Sequence, residues 1–139
     1  MTSSIRIACL QVNSGSDYQT NLETVTVMAR VAAGAGAQFI LTPEYALMMD
    51  GSGKVMRERA LTADGAPALG ELQALARELG VWFLAGSLTL RAEDERIVNR
   101  SFLISAQGEV VASYDKIHMF DVDLANGESY RESRSYAPG

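Results

Sequence analysis

The stretch Gly70–Leu90, GELQALARELGVWFLAGSLTL, decides how this chain is read. Leu72, Leu75, Ala76 and Leu79, with Leu69 just before them, fall on one face at helical spacing, and Gly80 closes the helix. From Val81 to Leu90 the pattern changes to a strand. Working backward, Pro67 suits the first turn of that helix, and Ala63-Asp64-Gly65 is a turn before it. A short helix is expected around Lys54 to Leu61. Phe39 to Leu41 is a short apolar run that stops at Thr42-Pro43, because proline cannot donate to a ladder. Leu22, Val25, Ala29 and Ala32 predict a helix from about Tyr18 to Ala35, ended by Gly34 and Gly36. Ile5 to Val12, IRIACLQV, is apolar on both faces apart from Arg6 and Gln11 and reads as a strand covered on both sides. Working forward, Ile97 to Ser105 and Glu109 to Tyr114 read as strands joined through Ala106-Gln107-Gly108. Residues 115 to 139 lack periodicity and read as a long functional loop.

Helices come early and adjacent antiparallel strands come late, so the fold class is α/β, a layered domain with a mixed β-sheet. The 139 residues have the length of one domain, and 47% are apolar, enough for a core. The net charge is -5, and Lys and Arg are scattered singly, which argues against nucleic acid and anionic membrane as partners. No stretch approaches the ~18 apolar residues of a membrane span, and the opening residues lack the pattern of a signal peptide. One cysteine, Cys9, permits no internal disulfide, so a cytoplasmic, reducing setting is the default. One histidine, His118, argues against a His-rich metal site; no metal is expected.

Two places depart from core and solvated face. In Leu41-Thr42-Pro43-Glu44-Tyr45-Ala46 a carboxylate lies directly past the end of a buried strand, where ligands bind in α/β sheets. Partial burial there raises a carboxylate's pKa, which suits a general base. On spacing alone, the simpler reading of Glu44 is a glutamate at a helix start. In Tyr114-Asp115-Lys116-Ile117-His118-Met119-Phe120-Asp121 a strand runs out into a loop, and Lys116 at its end is suited to face a developing oxyanion. On spacing alone that lysine reads as half of a surface ion pair.

Together these segments resemble the nitrilase superfamily, the carbon–nitrogen hydrolases. The resemblance is carried, collinearly from Ile5 to Gly139, by IRIACLQVN, TPEYA, GELQALARELGVWFLAGSLTL, NRSFLISAQGEVVASYDKIHMFD and YRESRSYAPG. In look the sequence is nearest the omega-amidase branch. The resemblance implies an α-β-β-α layered sandwich, of which residues 1–139 are the first half, within one hydrolase domain. It implies a cofactor-free hydrolase of small amides or nitriles that works through a glutamate, a lysine and a cysteine. Glu44 takes the place of the base, Lys116 that of the oxyanion-stabilising lysine, and Glu132 that of a second glutamate that positions the lysine. Tyr45, Met48 and Phe120 are candidates for the substrate pocket, with core packing an equal reading. The family also implies a homodimer or larger homo-oligomer.

In the family the nucleophilic cysteine follows shortly after the segment that here ends at Ala137-Pro138-Gly139. Cys9 is expected to be a small buried apolar residue of the first strand, no substitute for it. His118 is expected to be a structural hydrogen-bonder near the site. The 139 residues taken by themselves are expected to be inactive. The alternative reading is a non-catalytic fragment or binding module that keeps the geometry without the chemistry. An unrelated α/β binding domain would require the collinear resemblance to be chance.

Overall fold

A computed structural model describes residues 4–94 and 96–139. In chain order the elements are β1 (Ile7–Cys9), α1 (Tyr18–Gly34), β2 (Phe39–Leu41), α2 (Gly53–Glu58), α3 (Ala68–Leu79), β3 (Trp82–Arg91), β4 (Ile97–Ile104), β5 (Val110–Asp115), β6 (Asp121–Asp123) and β7 (Ser129–Arg131), with a 3-10 turn at Glu132–Arg134. The first five strands form one sheet in the order β1-β2-β3-β4-β5. The pairs β1–β2 and β2–β3 are parallel, while β3–β4 and β4–β5 are antiparallel, so the sheet is mixed as expected. No helix among the described residues is long and apolar enough to cross a membrane.

The periodicities are met where they were strongest. α1 buries Leu22, Val25 and Ala29, and its N-terminus is capped by Asp17, whose side chain accepts from Thr20 N. α3 buries Ala68, Leu72, Leu75 and Ala76 and ends on Gly80 in the left-handed conformation, φ 64°. These faces pack with Ile40, Phe83, Ala85, Phe102 and Ile104 from one side of the sheet. The other side carries a row running Cys9, Leu41, Leu84, Leu103, Ala112 across all five strands. Every member of that row is at least partly exposed.

That difference between the faces corrects two expectations. The strand expected over Ile5 to Val12 is only Ile7–Cys9, and it is an edge strand covered on one side: Ala8 packs on the core, while Ile7 is 53% exposed. Cys9 lies on the open face and is exposed, not buried. Apolar residues on both faces of a strand mark a need for cover, and the described residues supply it on one side only. The second correction concerns 115 to 139, expected as a loop. Residues 121–131 form a hairpin, β6 paired antiparallel with β7, turning through Gly127 at φ 88°. Strands of three residues are too short to show a period of two.

Candidate active site

Glu44 is set by the way β2 ends. Thr42 N donates to Leu84 O at 3.1 Å, one further rung between β2 and β3, and Pro43 then stops the pairing. Opposite this point β3 carries a bulge between Ala85 and Leu88. A Cβ on Gly86 would stand 2.1 Å from Thr42 O and 2.5 Å from Pro43 O, so only glycine admits so close an approach of two backbones. Gly86 N donates to Thr42 Oγ1 at 3.1 Å, and Ser101 Oγ donates to Gly86 O at 2.7 Å. The chain then reverses through Tyr45 in the left-handed region, φ 56°, an arrangement costing a non-glycine residue about 1–2 kcal/mol. Tyr45 N donates to the Oγ of buried Ser87 at 3.0 Å, which anchors the reversal. Glu44 therefore sits in a tight turn, not at a helix start. Its side chain is 49% exposed, more open than expected.

Lys116 follows β5 directly. Its N donates to Asn99 O at 2.9 Å, and the preceding Asp115 pairs through both oxygens with Arg100, at 2.5 and 2.7 Å. The Arg100 guanidinium holds the Asp115 carboxyl below the ordinary aspartate value. Residues 135–137 run beside Ile97, with Ile97 N donating to Ser135 O and Ala137 N to Ile97 O, and Gly139 N closes onto Lys116 O at 3.0 Å.

The Lys116 ammonium stands between two carboxylates 88 residues apart in sequence. Its Nζ lies 3.0 Å from Glu44 Oε1, 3.0 Å from Glu132 Oε1 and 2.9 Å from Glu132 Oε2. Burial opposes the charge on Lys116, but hydrogen bonds to Glu132 and Glu44 outweigh it and raise the lysine's pKa. Glu132 is the more enclosed carboxylate, its side chain 10% exposed. It accepts from Tyr45 Oη at 2.9 Å and from Phe120 N at 2.6 Å. Burial pushes its pKa up; the Phe120 amide, Lys116 and Tyr45 together push it further down, so Glu132 stays ionised below the ordinary glutamate value. Burial, Tyr136 and Glu132 in turn raise the Tyr45 phenol, which remains a protonated donor.

These groups line an open pocket of about 480 Å³ that also includes Met49, Met56, Phe120 and Tyr130. Glu44, Lys116, Glu132, Tyr45 and Phe120, all singled out from sequence, thus meet at one place. Tyr45 does more than form a wall, because its hydroxyl is spent on Glu132. Met48 packs into a small core with Met56, Ile97 and Tyr136 instead of lining the pocket. His118 is exposed, not the structural hydrogen-bonder expected. Cys9 lies outside the pocket lining. Three residues not singled out from local sequence complete the site: Asn99, whose Nδ2 donates to Glu44 Oε1 at 2.5 Å, and Gly86 and Ser87 beneath the turn. A signal for Asn99 was present: it alternates in phase with Ile97 along β4, so it is an amide on a buried face.

Comparisons with known proteins identify the family and the fold. The chain is 37% identical over 136 residues to the deaminated glutathione amidase of Yersinia enterocolitica, covering 96% of this chain and 47% of that protein. It is 33% identical over 142 residues to the deaminated glutathione amidase of Homo sapiens, covering 96% and 42%. The chain thus spans about half the length of these relatives. The solved structure of a variant of the amidase from Nesterenkonia sp. AN1, with acrylamide added at its active-site cysteine, superimposes with a TM-score of 0.81 at 26% identity, covering 98% of this chain and 50% of that one. The C. elegans NitFhit protein shares the fold at a TM-score of 0.84 and 22% identity, covering 96% and 32%. Residues 6–139, nearly the whole sequence, match the carbon-nitrogen hydrolase family, and the chain belongs to that family.

Proposed function

We propose that this chain supplies the charged half of an amidase site that hydrolyses small carboxamides, and that the nucleophilic thiol comes from outside these 139 residues. The observation that carries the reading is one ammonium bracketed by two carboxylates, all three lining one pocket. Glu44 is the base. Its Oε1 accepts from Lys116 and Asn99, while Oε2 accepts nothing from any described residue and is available for a proton. Glu132 cannot take that part: both of its oxygens are engaged, and it is held ionised. It positions Lys116.

The chemistry follows. Glu44 takes the thiol proton as sulfur attacks the amide carbon, and the oxyanion forms beside the Lys116 ammonium. The tetrahedral intermediate collapses to a thioester as Glu44 returns the proton to nitrogen, because ammonia leaves readily only when its nitrogen is protonated. Glu44 then deprotonates water, which cleaves the thioester and restores the thiol. Water is consumed, and a carboxylate and an ammonium ion are the net products, the acid's proton ending on ammonia. Tyr45 and Phe120 bound the substrate space, and no cofactor takes part.

In the same reading residues 1–139 are the N-terminal part of a single hydrolase domain. The open row from Cys9 to Ala112 is where the second sheet layer of an α-β-β-α sandwich packs. A cytoplasmic homodimer or larger homo-oligomer completes the proposal.

Ammonia release from short carboxamides tests it, assayed on the 139-residue chain and on the product of its parent gene read past Gly139. Turnover is expected only from a polypeptide that adds a cysteine to this pocket. Turnover by the 139-residue chain carrying Cys9→Ala overturns the proposal. An inactive full product, with the pocket intact, favours a binding module instead.

A further inference from the structure

Asn99 touches both ends of the Glu44–Lys116 pair. Its side-chain Nδ2 donates to Glu44 Oε1 at 2.5 Å, and its backbone carbonyl accepts from Lys116 N at 2.9 Å. The amide faces the carboxylate with nitrogen, because an ionised carboxylate only accepts. Asn99 is 4% exposed, so an amide left unpaired there would be costly. It is held in place from both sides: across β3 it pairs with Thr89, and the next residue, Arg100, is clamped to Asp115.

The consequence lies in the second oxygen of Glu44. That side chain is 49% exposed, and a carboxylate contacted only by a lysine can rotate and offer either oxygen to it. Two donors of different origin on one oxygen remove that freedom. Lys116 reaches Oε1 from the end of β5, and Asn99 reaches the same atom from β4. An amide suits this task better than a further charge, because the cluster already has two carboxylates around one ammonium. Asparagine adds a donor with no charge of its own at any working pH.

We propose that Asn99 is a positioning residue of this site: its buried amide fixes Oε1 of Glu44 beside Lys116 and so leaves Oε2 as the proton-accepting atom. The inference rests on the reading of Glu44 as base. The thiol proton moves to Oε2, and from Oε2 to the departing nitrogen. The hydrogen bonds on Oε1 stay in place through both transfers, so the carboxylate does not reorient between them. A base acts within about 2.6–3.2 Å of its proton, and a fixed oxygen meets that requirement in both steps.

A donor–acceptor reversal tests the contact in the 139-residue chain without any activity. Asn99→Asp sets a second carboxylate against Glu44 and should lower Tm at pH 7 by about 10 °C. Adding Glu44→Gln gives the pair one carboxylate and one amide again, with the polarity reversed, and should recover about half of the loss. Asn99→Leu, similar in shape and uncharged, gives a second cycle should Asn99→Asp not fold. Its loss should shrink in the Glu44→Gln background. Strictly additive losses in the cycle overturn the inference.

In a polypeptide that turns over carboxamides, Asn99→Leu should lower kcat about tenfold and leave KM within about twofold. A raised KM with kcat unchanged also overturns the positioning role, while Glu44 keeps its place as base. An absence of turnover in every variant, wild type included, counts against the amidase reading; the stability cycle then still decides whether Asn99 holds Glu44.

Discussion

Two segments reach the same ammonium and hold their carboxylates by opposite means. The turn after β2 holds Glu44 through backbone: the close approach at Gly86, the extra rung at Thr42, and a left-handed Tyr45 tied to Ser87. The carboxylate at the end of this rigid frame is itself half open, with one oxygen free of donors from the described residues. Glu132, in the 116–139 segment, is held through side-chain and amide hydrogen bonds, from Phe120 and Lys116 of that segment and from Tyr45 of the turn, and its carboxylate is nearly enclosed. A group that exchanges protons needs a fixed origin and an open end. A group that only supplies charge needs every lone pair engaged. Tyr45 belongs to both frames, since its backbone shapes the Glu44 turn and its hydroxyl binds Glu132.

Four substitutions act on these two frames. The largest effect is expected from Gly86→Ala, whose Cβ would meet Thr42 O at 2.1 Å. It should cost about 3 kcal/mol, read from the urea midpoint. A cost below about 1 kcal/mol would mean that the Glu44 turn yields easily and is not a rigid frame.

Lys116→Met comes next. It leaves Glu132 enclosed beside Glu44 with no cation between them. Removing one partner of a buried pair costs 3–5 kcal/mol; with Lys116 26% exposed and partly screened, about 2 kcal/mol is expected. The partner change Glu44→Gln in that background should be stabilising. A further loss would show that the two carboxylates do not feel each other.

Glu132→Gln should cost about 1.5 kcal/mol at pH 7 and change the response to acid. The folded-state pKa of Glu132 lies below the ordinary glutamate value of 4.5, so its contribution is complete above that pH and is lost as pH falls through the lower folded value. Stability curves of the wild type and the variant should therefore converge below pH 4.5. Parallel curves down to pH 3 would remove Glu132 from the charged cluster. For Lys116 the sign is reversed: its raised pKa gives stability that is complete below the ordinary lysine value of 10.5 and is lost as pH rises through the folded value.

The smallest effect is expected from Tyr45→Phe, about 1 kcal/mol, because Glu132 keeps Lys116 and the Phe120 amide. Much of the acid response of Glu132 should survive it. A loss as large as that of Gly86→Ala would mean that the hydroxyl, and not the backbone, organises the turn.

The helices over Tyr18–Gly34 and Ala68–Leu79, the short strand that ends at Thr42-Pro43, and the β4–β5 hairpin are legible from the residues alone. Each is specified by local chemistry: apolar residues at 3.6 spacing, a proline that cannot donate, a glycine at positive φ. Glu44, Lys116 and Glu132 were also legible, but through resemblance to a family, since their spacing by itself favoured bland readings. The rest comes from packing between distant segments. That Asn99 holds Glu44 depends on β4 lying two strands from β2, a relation no local window contains. Gly86 looked like any glycine in a strand until the Thr42 backbone was seen to press against it. Cys9 was misread as buried because its apolar neighbours reveal that a strand seeks cover, while whether cover exists depends on what else packs there. Local sequence fixes what each segment can do; which segments meet, and which lone pairs remain free when they do, is set by contacts between residues far apart in the chain.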